Sequence, residues 1–323
     1  MTLSFIIMTL SSSLINRTMK TTIDTLINTE VISGTLSLDN VIHVSKNGND
    51  TRGDFSNYNA SRPFLTVGAA ETAALSGDVI NVYSGDYSSE TLAGKDGVTY
   101  NGLDNVTLPS FQFLPFISPF TIYGSGKCND FTCANDNAIV NMGDMDVMGN
   151  TLVNNGEVYI GVLYNTCNFN GSSVSYVKDI VGNASVNNNS KVTVSNSTRL
   201  GGIGNAYVLN NSSILHINGG IISSDATFAG LISTSFSWDG ELLLNDVRLE
   251  FPNQTDLGSA INIGGSSGFI QMKNCSCYLP VPLYIISGTL SRDIYIQGTF
   301  CANASSNNIT FVGGTEIVNA NFR

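Results

Sequence analysis

A short strand pattern that returns at nearly constant spacing constrains this chain more than any other feature. Alternating apolar residues run into Asn, Gln or Lys at Val192–Asn196, Leu215–Gly219, Leu242–Asp246, Ile270–Asn274 and Ile294–Gly298. The last apolar residues of these segments, Val194, Ile217, Leu244, Met272 and Ile296, stand 23, 27, 28 and 24 residues apart. A period of roughly 20 to 50 residues marks solenoids, propellers or arrays. The segments between the beats lack helical periodicity and the leucine-rich pattern is missing, so the expected fold is an all-β solenoid of parallel strands. Val158–Ile160 and Val174–Val177 continue the rhythm less regularly.

In a parallel coil each strand bonds to its equivalents about 4.8 Å above and below, so like residues stack and an Asn can satisfy its amide on the next Asn. Asn218, Asn245 and Gln297 each follow a beat by one residue, where such a ladder is expected, and Lys273 interrupts it. Composition agrees. Charged residues are only 12% of the 323, about half the usual share, and Gly is abundant at 32. With 14 Lys+Arg against 25 Asp+Glu the net charge is -11, which argues against phosphate-backbone binding, because that needs clustered cations. Nucleic acid is not an expected partner. The apolar run Leu3–Leu10 is too short to span a bilayer, which takes about 20 residues, and the first basic residue, Arg17, lies downstream of it. Residues 1–40 are therefore expected to be an anchor or assembly segment with no membrane span, the alternatives being a signal remnant and a later start at Met8 or Met19.

Residues 41–108 carry the most specific order of elements. Val41–Asp50 reads as a strand ending in a Gly/Asn/Asp loop. Arg62–Glu71 is a Pro-Phe entry into a short Ala-rich helix, about 66 to 75, and Ala74–Tyr87 is a Ser-Gly-Asp turn followed by a buried strand. Gly94–Val98 supplies the next turn. This order resembles the N-terminal capping region of right-handed parallel β-helix proteins of the pectate-lyase-like superfamily, especially those of phage tail fibres, tailspikes and large-virus surface proteins. The resemblance covers about 60 residues. It implies a helix that shields the open first coil, in a cap-and-first-coils region at 41–108, with further coils over 109–323. Pro109–Phe120 holds three prolines and four phenylalanines. The prolines disfavour a central strand, so 109–135 is expected to be an exposed Pro/Phe-rich loop. Phe111, Phe113, Phe116 and Phe120 are candidate assembly-interface residues.

Chemistry is less visible. The pectin-hydrolase signatures Asn-Thr-Asp, Gly-His-Gly and Arg-Ile-Lys do not occur, and Arg199, Arg248 and Arg292 are too dispersed to serve a lyase. Paired carboxylates for glycosidase chemistry need only come within about 5 to 9 Å of each other. The weak candidates are Asp144 with Asp146, and Asp239 with Glu241, near Asp246 and Glu250. The single tryptophan, Trp238, is a candidate sugar-stacking residue beside them. The six cysteines are too sparse for a disulfide framework and lack metal-ligand spacing. Cys128 and Cys133 have a spacing that could bridge a loop, and Cys301, about one coil after Cys275 and Cys277, is expected to stack on one of them. Asn47–Gly53 departs from a calcium loop, Arg52-Gly-Asp54 is a common tripeptide, and the Asn-x-Ser/Thr sequons are close to chance in this composition. No cofactor or metal is expected. The resemblance implies a non-catalytic virion surface protein: a fibre, spike or capsid decoration, trimer favoured, that docks on other virion proteins through its N-terminal segment and displays a surface for host attachment. The alternatives are a glycan-binding or glycan-cleaving tailspike and a secreted adhesin.

Overall fold

Alternation places one set of side chains inside and the other outside. Val192 and Val194, Leu215 and Ile217, Leu242 and Leu244, and Ile270 and Met272 are fully buried, and the residues between them are not. The computed structural model describes residues 40–51, 59–103, 105–113, 120–124, 126–133, 139–142, 145–199, 205–223, 231–250, 259–278, 284–290, 294–302, 309–311 and 320–322. In it the strands pair in parallel with strands one coil further on, in three ladders. The first runs from Val41–Val44 to Ile294–Gln297, the second from Gly85–Asp86 to Ala320–Phe322, and the third from Thr91–Leu92 to Ile309–Phe311. The third is an 11-stranded sheet. The other two merge into one of 21 strands, because Glu157–Leu163, Val174–Ile180 and Lys191–Arg199 run from one ladder into the other. The protein is thus mostly β structure in long parallel sheets, an arrangement compatible with an all-β solenoid. One hydrophobic core extends from Ile42 to Ile296.

The repeat expected from the sequence is the repeat observed. Val194 pairs with Ile217, Ile217 with Leu244, Leu244 with Met272 and Met272 with Ile296. The less regular beats also pair: Ile160 faces Val177 and Val177 faces Val194, 17 residues per coil. These coils are shorter partly because their strands pass straight through the corner between the first and second ladders. In four other coils that corner holds a residue in the left-handed region, Asn105, Asp246, Asn274 or Gly298, with φ between 53° and 60°. Asn, Asp and Gly are the residues that tolerate this conformation at least cost.

Amide ladders line the coils. Asn245 donates to Asn218 at 3.0 Å, as expected, and Lys273 follows in register and breaks the run. A longer ladder, not foreseen, follows the third ladder's strands: Asn170 donates to Asn154 (3.2 Å), Asn187 to Asn170 (2.7 Å) and Asn210 to Asn187 (2.6 Å). These amides are half-buried, so losing one leaves two neighbours unpaired, at a cost of about 1–3 kcal/mol. Asn187→Ala should lower the unfolding free energy by about 2 kcal/mol, whereas Asn245→Ala, at an exposed pair, should cost less than about 1 kcal/mol. Urea titration of the two variants measures the contrast.

The described helix, α1 (Val67–Ala73), packs on the first two strands of the first ladder and buries Val67 and Ala70. It matches the short helix expected at about 66 to 75. Thr66 is its N-cap, accepting from the Ala69 N–H at 3.2 Å. Two distant carboxylates complete the end. Asp50 accepts from the Leu65 and Thr66 N–H groups and the Thr66 hydroxyl, and Glu90 accepts from Val67 and Gly68. Gly48 is required nearby, because a Cβ there would lie 2.1 Å from the Phe64 carbonyl oxygen. At the other end Tyr100 donates to Glu71 at 2.6 Å. Burial raises the Glu71 carboxyl above its ordinary value, outweighing the Tyr100 hydrogen bond and Lys95, both of which act to lower it. The folded state therefore holds this proton more tightly than the unfolded chain does, and that contribution to stability is lost as pH rises through the folded value. Glu71→Gln keeps an acceptor for Tyr100 and removes the charge. Its melting temperature should gain on wild type as pH rises from 4 towards 7; a difference that does not vary with pH would refute this.

Two expectations are corrected. Residues 109–135 are not a single loop: Ser110–Phe113, Phe120–Gly124, Lys127–Cys128 and Phe131–Cys133 are ladder strands. Pro109 sits just ahead of a strand, where its missing N–H removes no ladder bond. Phe111 is fully buried against Tyr100, ring centroids 5.3 Å apart, so it is a core residue and not an interface residue. Phe116 and the side chains of Phe113 and Phe120 lie outside the described residues, as does the segment 1–39. Cys128, Cys133, Cys167, Cys275 and Cys277 are buried and form no disulfide, so Cys128 and Cys133 do not bridge. Cys277 stacks in register with Cys301, as expected. Burial pushes the Cys167 thiol up to about 12 and raises Cys128 as well, with Asp130 and Asp146 adding to the latter.

Candidate functional site

The strand pattern that fills the core also sets an outward column along the first ladder. Tyr159, Tyr176, Thr193, His216, Leu243, Gln271 and Tyr295 stand in register, one per coil. Two residues earlier in each strand runs a second column that includes Glu157, Lys191, Glu241 and Phe269. Tyr159 and Tyr176 are exposed, and their rings stack at 4.8 Å with 13° between planes. The Tyr159 hydroxyl donates to Glu157 at 2.5 Å, and this bond to a carboxylate raises its pKa. Higher up, His216 Nε2 lies 3.5 Å from Glu241 Oε2 without hydrogen-bond alignment, and Phe269 and Tyr295 meet at 5.4 Å. The face therefore offers aromatic rings beside carboxylates, the surface chemistry that stacks on and hydrogen-bonds a sugar.

The residues singled out in the sequence fall differently. Trp238 is fully buried: its Nε1 donates to the Ser213 carbonyl at 3.1 Å, and a Cβ at Gly268 would come within 2.4 Å of the ring. Neither face of the indole is open to a sugar, so the expected stacking role is corrected to a core role. Bulk explains the error, since a Trp among Ser, Asp and Gly reads as exposed although the next coil leaves it a glycine-lined space. Asp239 is exposed in the turn before the strand, and Glu241 faces His216. Asp246 occupies the left-handed corner, and Glu250 pairs with Arg248 on the second ladder. These acids are strung along one coil over two ladders. Asp146 stands next to Lys127 in register, and Asp144 lies outside the described residues, as do Arg52 to Asp54 and Arg292. Asp50, in the calcium-like loop, is engaged by the α1 end. No group of three or more metal-ligating side chains occurs among the described residues, and no described helix is long and apolar enough to cross a membrane.

Sequence reasoning missed the Tyr159–Tyr176 pair. Its signal was present, because Val-Tyr-Ile and Ser-Tyr-Val place tyrosines 17 residues apart, but that spacing is legible only once 17 is known to be one coil. Comparison with protein-family models, curated proteins and solved structures finds no match to this chain.

As the single tryptophan, Trp238 reports on its own burial. Its fluorescence in the folded protein should be blue-shifted, poorly quenched by acrylamide and unaffected by saturating oligosaccharides; ready quenching would contradict a core position.

Proposed function

We propose that the chain is a right-handed parallel β-helix, closed at its N-terminal end by α1, that serves as a non-catalytic surface structural protein of the fibre, spike or capsid-decoration type. Its coils form a stiff rod, its N-terminal segment docks on other virion proteins, and its outer faces are displayed for host attachment. The observation that carries this reading is the unbroken core and in-register ladders from Ile42 to Ile296. Such a rod opens only by unzipping coils and so presents few loops to proteases. Several of its acidic side chains are engaged in the fold, at the α1 end, at Glu71 and at Asp179, which accepts from the Thr198 N–H and hydroxyl. The virion setting rests on the resemblance of residues 41–108. Assembly into a homo-oligomer, trimer favoured, belongs to the same reading.

A glycan-binding function is the second reading, and the exposed Tyr159–Tyr176 pair beside Glu157 favours it. Antibodies to the purified chain should label the outside of particles from its source, and the chain should release no reducing ends from a glycan panel. Absence of labelling would overturn the virion setting. Glycan cleavage abolished by Asp239→Asn or Glu241→Gln would replace the non-catalytic reading with a glycosidase.

A further inference from the structure

The three outer faces differ in charge. Strands of the first ladder carry Glu157, Lys178, Asp179, Lys191, Glu241 and Lys273, and those of the second carry Asp86, Lys127, Asp146, Arg248 and Glu250. Strands of the third ladder, from Thr91–Leu92 to Ile309–Phe311, carry no Asp, Glu, Lys or Arg. Their outward residues form an uncharged column that includes Thr132, Leu152, Asn168, Ser185, Val208 and Ser233. Glu90 and Asp130, each one residue before a strand of this ladder, are engaged by backbone N–H groups, Glu90 by Val67 and Gly68 and Asp130 by Asn150. In a chain of net charge -11, a ladder whose described strands carry no charge forfeits solubility and electrostatic protection against association.

A second feature adjoins it. Phe236, at the corner directly after the strand Ile232–Thr234, is 86% exposed, far more than any other large apolar side chain among the described residues. A lone exposed Phe is ordinary, but one at the rim of a charge-free strip extends an apolar contact surface.

We infer that the third ladder's outer face, rimmed by Phe236, is where a second copy of this chain docks. The inference rests on the homo-oligomer reading above and adds the surface. Near a symmetry axis each residue approaches its own counterpart, so any charge there would meet its like. For an acidic chain the face that can lie at such an axis is the uncharged one, and both charged ladders are thereby left outward. The strip is long enough: eleven strands at about 4.8 Å and three residues at about 3.3 Å give roughly 50 by 10 Å. Paired with its copy, that strip buries on the order of 1,000 Å², the lower bound for a specific interface, before Phe236 and the flanking corners are counted.

Light scattering on the full chain near neutral pH decides the matter. Wild type should have a mass that is a multiple of 34.3 kDa. Ser185→Glu with Ser233→Glu should reduce it to a single chain, and Phe236→Ser, a corner change that spares the strands, should weaken association at least tenfold. Thr193→Glu with Gln271→Glu, the same added charge on the first ladder, should leave the mass unchanged. Far-UV circular dichroism confirms that each variant is folded. A monomeric wild type would overturn the homo-oligomer reading together with this face. An oligomeric wild type whose third-ladder and Phe236 variants stay assembled, or whose first-ladder control also dissociates, would overturn the face alone.

Discussion

Everything in this structure depends on parallel, in-register stacking of one coil on the next. The backbone of each strand finds its hydrogen-bond partners in the coils above and below, so no strand is satisfied alone. The same register brings like residues together: Leu215 on Leu242, Leu242 on Ile270 and Ile270 on Ile294 inside, and Asn154 to Asn210 in an amide run along one corner. Stacking turns a modest local preference into a cumulative one. A half-buried amide that would cost free energy alone instead gives and receives a hydrogen bond at each step. This is how a chain with few charges and abundant Asn, Ser and Thr can hold a long core.

The ends need different physics. At the start of the first ladder, α1 packs on the first two strands. The helix is too short to be stable by itself. It is held by the Thr66 cap and by two carboxylates, Asp50 and Glu90, that arrive from loops 16 and 22 residues away. The N-terminal region is thus an arrangement of long-range caps, and its Gly48 and Asp50 are fixed by contacts that the local sequence does not display.

The repeat was legible because a parallel coil forces equal residues to equal heights, so the spacing of Val194, Ile217, Leu244, Met272 and Ile296 in sequence is the register in space. Legibility failed where coil length changed. The 17-residue coils around Tyr159 and Tyr176 omit the left-handed corner, and without that corner as punctuation their beat could not be aligned. Prolines misled for a related reason: they interrupt long strands but fit between the three- and four-residue strands of a solenoid, so Ser110–Phe113 was taken for loop. Trp238 was misplaced because its burial is set by Gly268 one coil later, a contact that composition cannot show. The outer faces were the least legible. Whether a polar residue points to the first, second or third ladder depends on every corner before it.

The division of charge among the three faces follows from that geometry, and it separates surfaces suited to display from the one suited to association. Its foundation is the register itself, which paired cysteines can read. Thr193 and His216 are neighbours in adjacent coils, whereas Thr193 and Leu243 are two coils apart, about 10 Å. With a short bifunctional thiol reagent, Thr193→Cys/His216→Cys should cross-link within the folded chain, and Thr193→Cys/Leu243→Cys should not. The native thiols described are buried and serve as the unreactive background. Cross-linking of the distant pair in preference to the neighbouring one would contradict the stacked, parallel register on which the whole account stands.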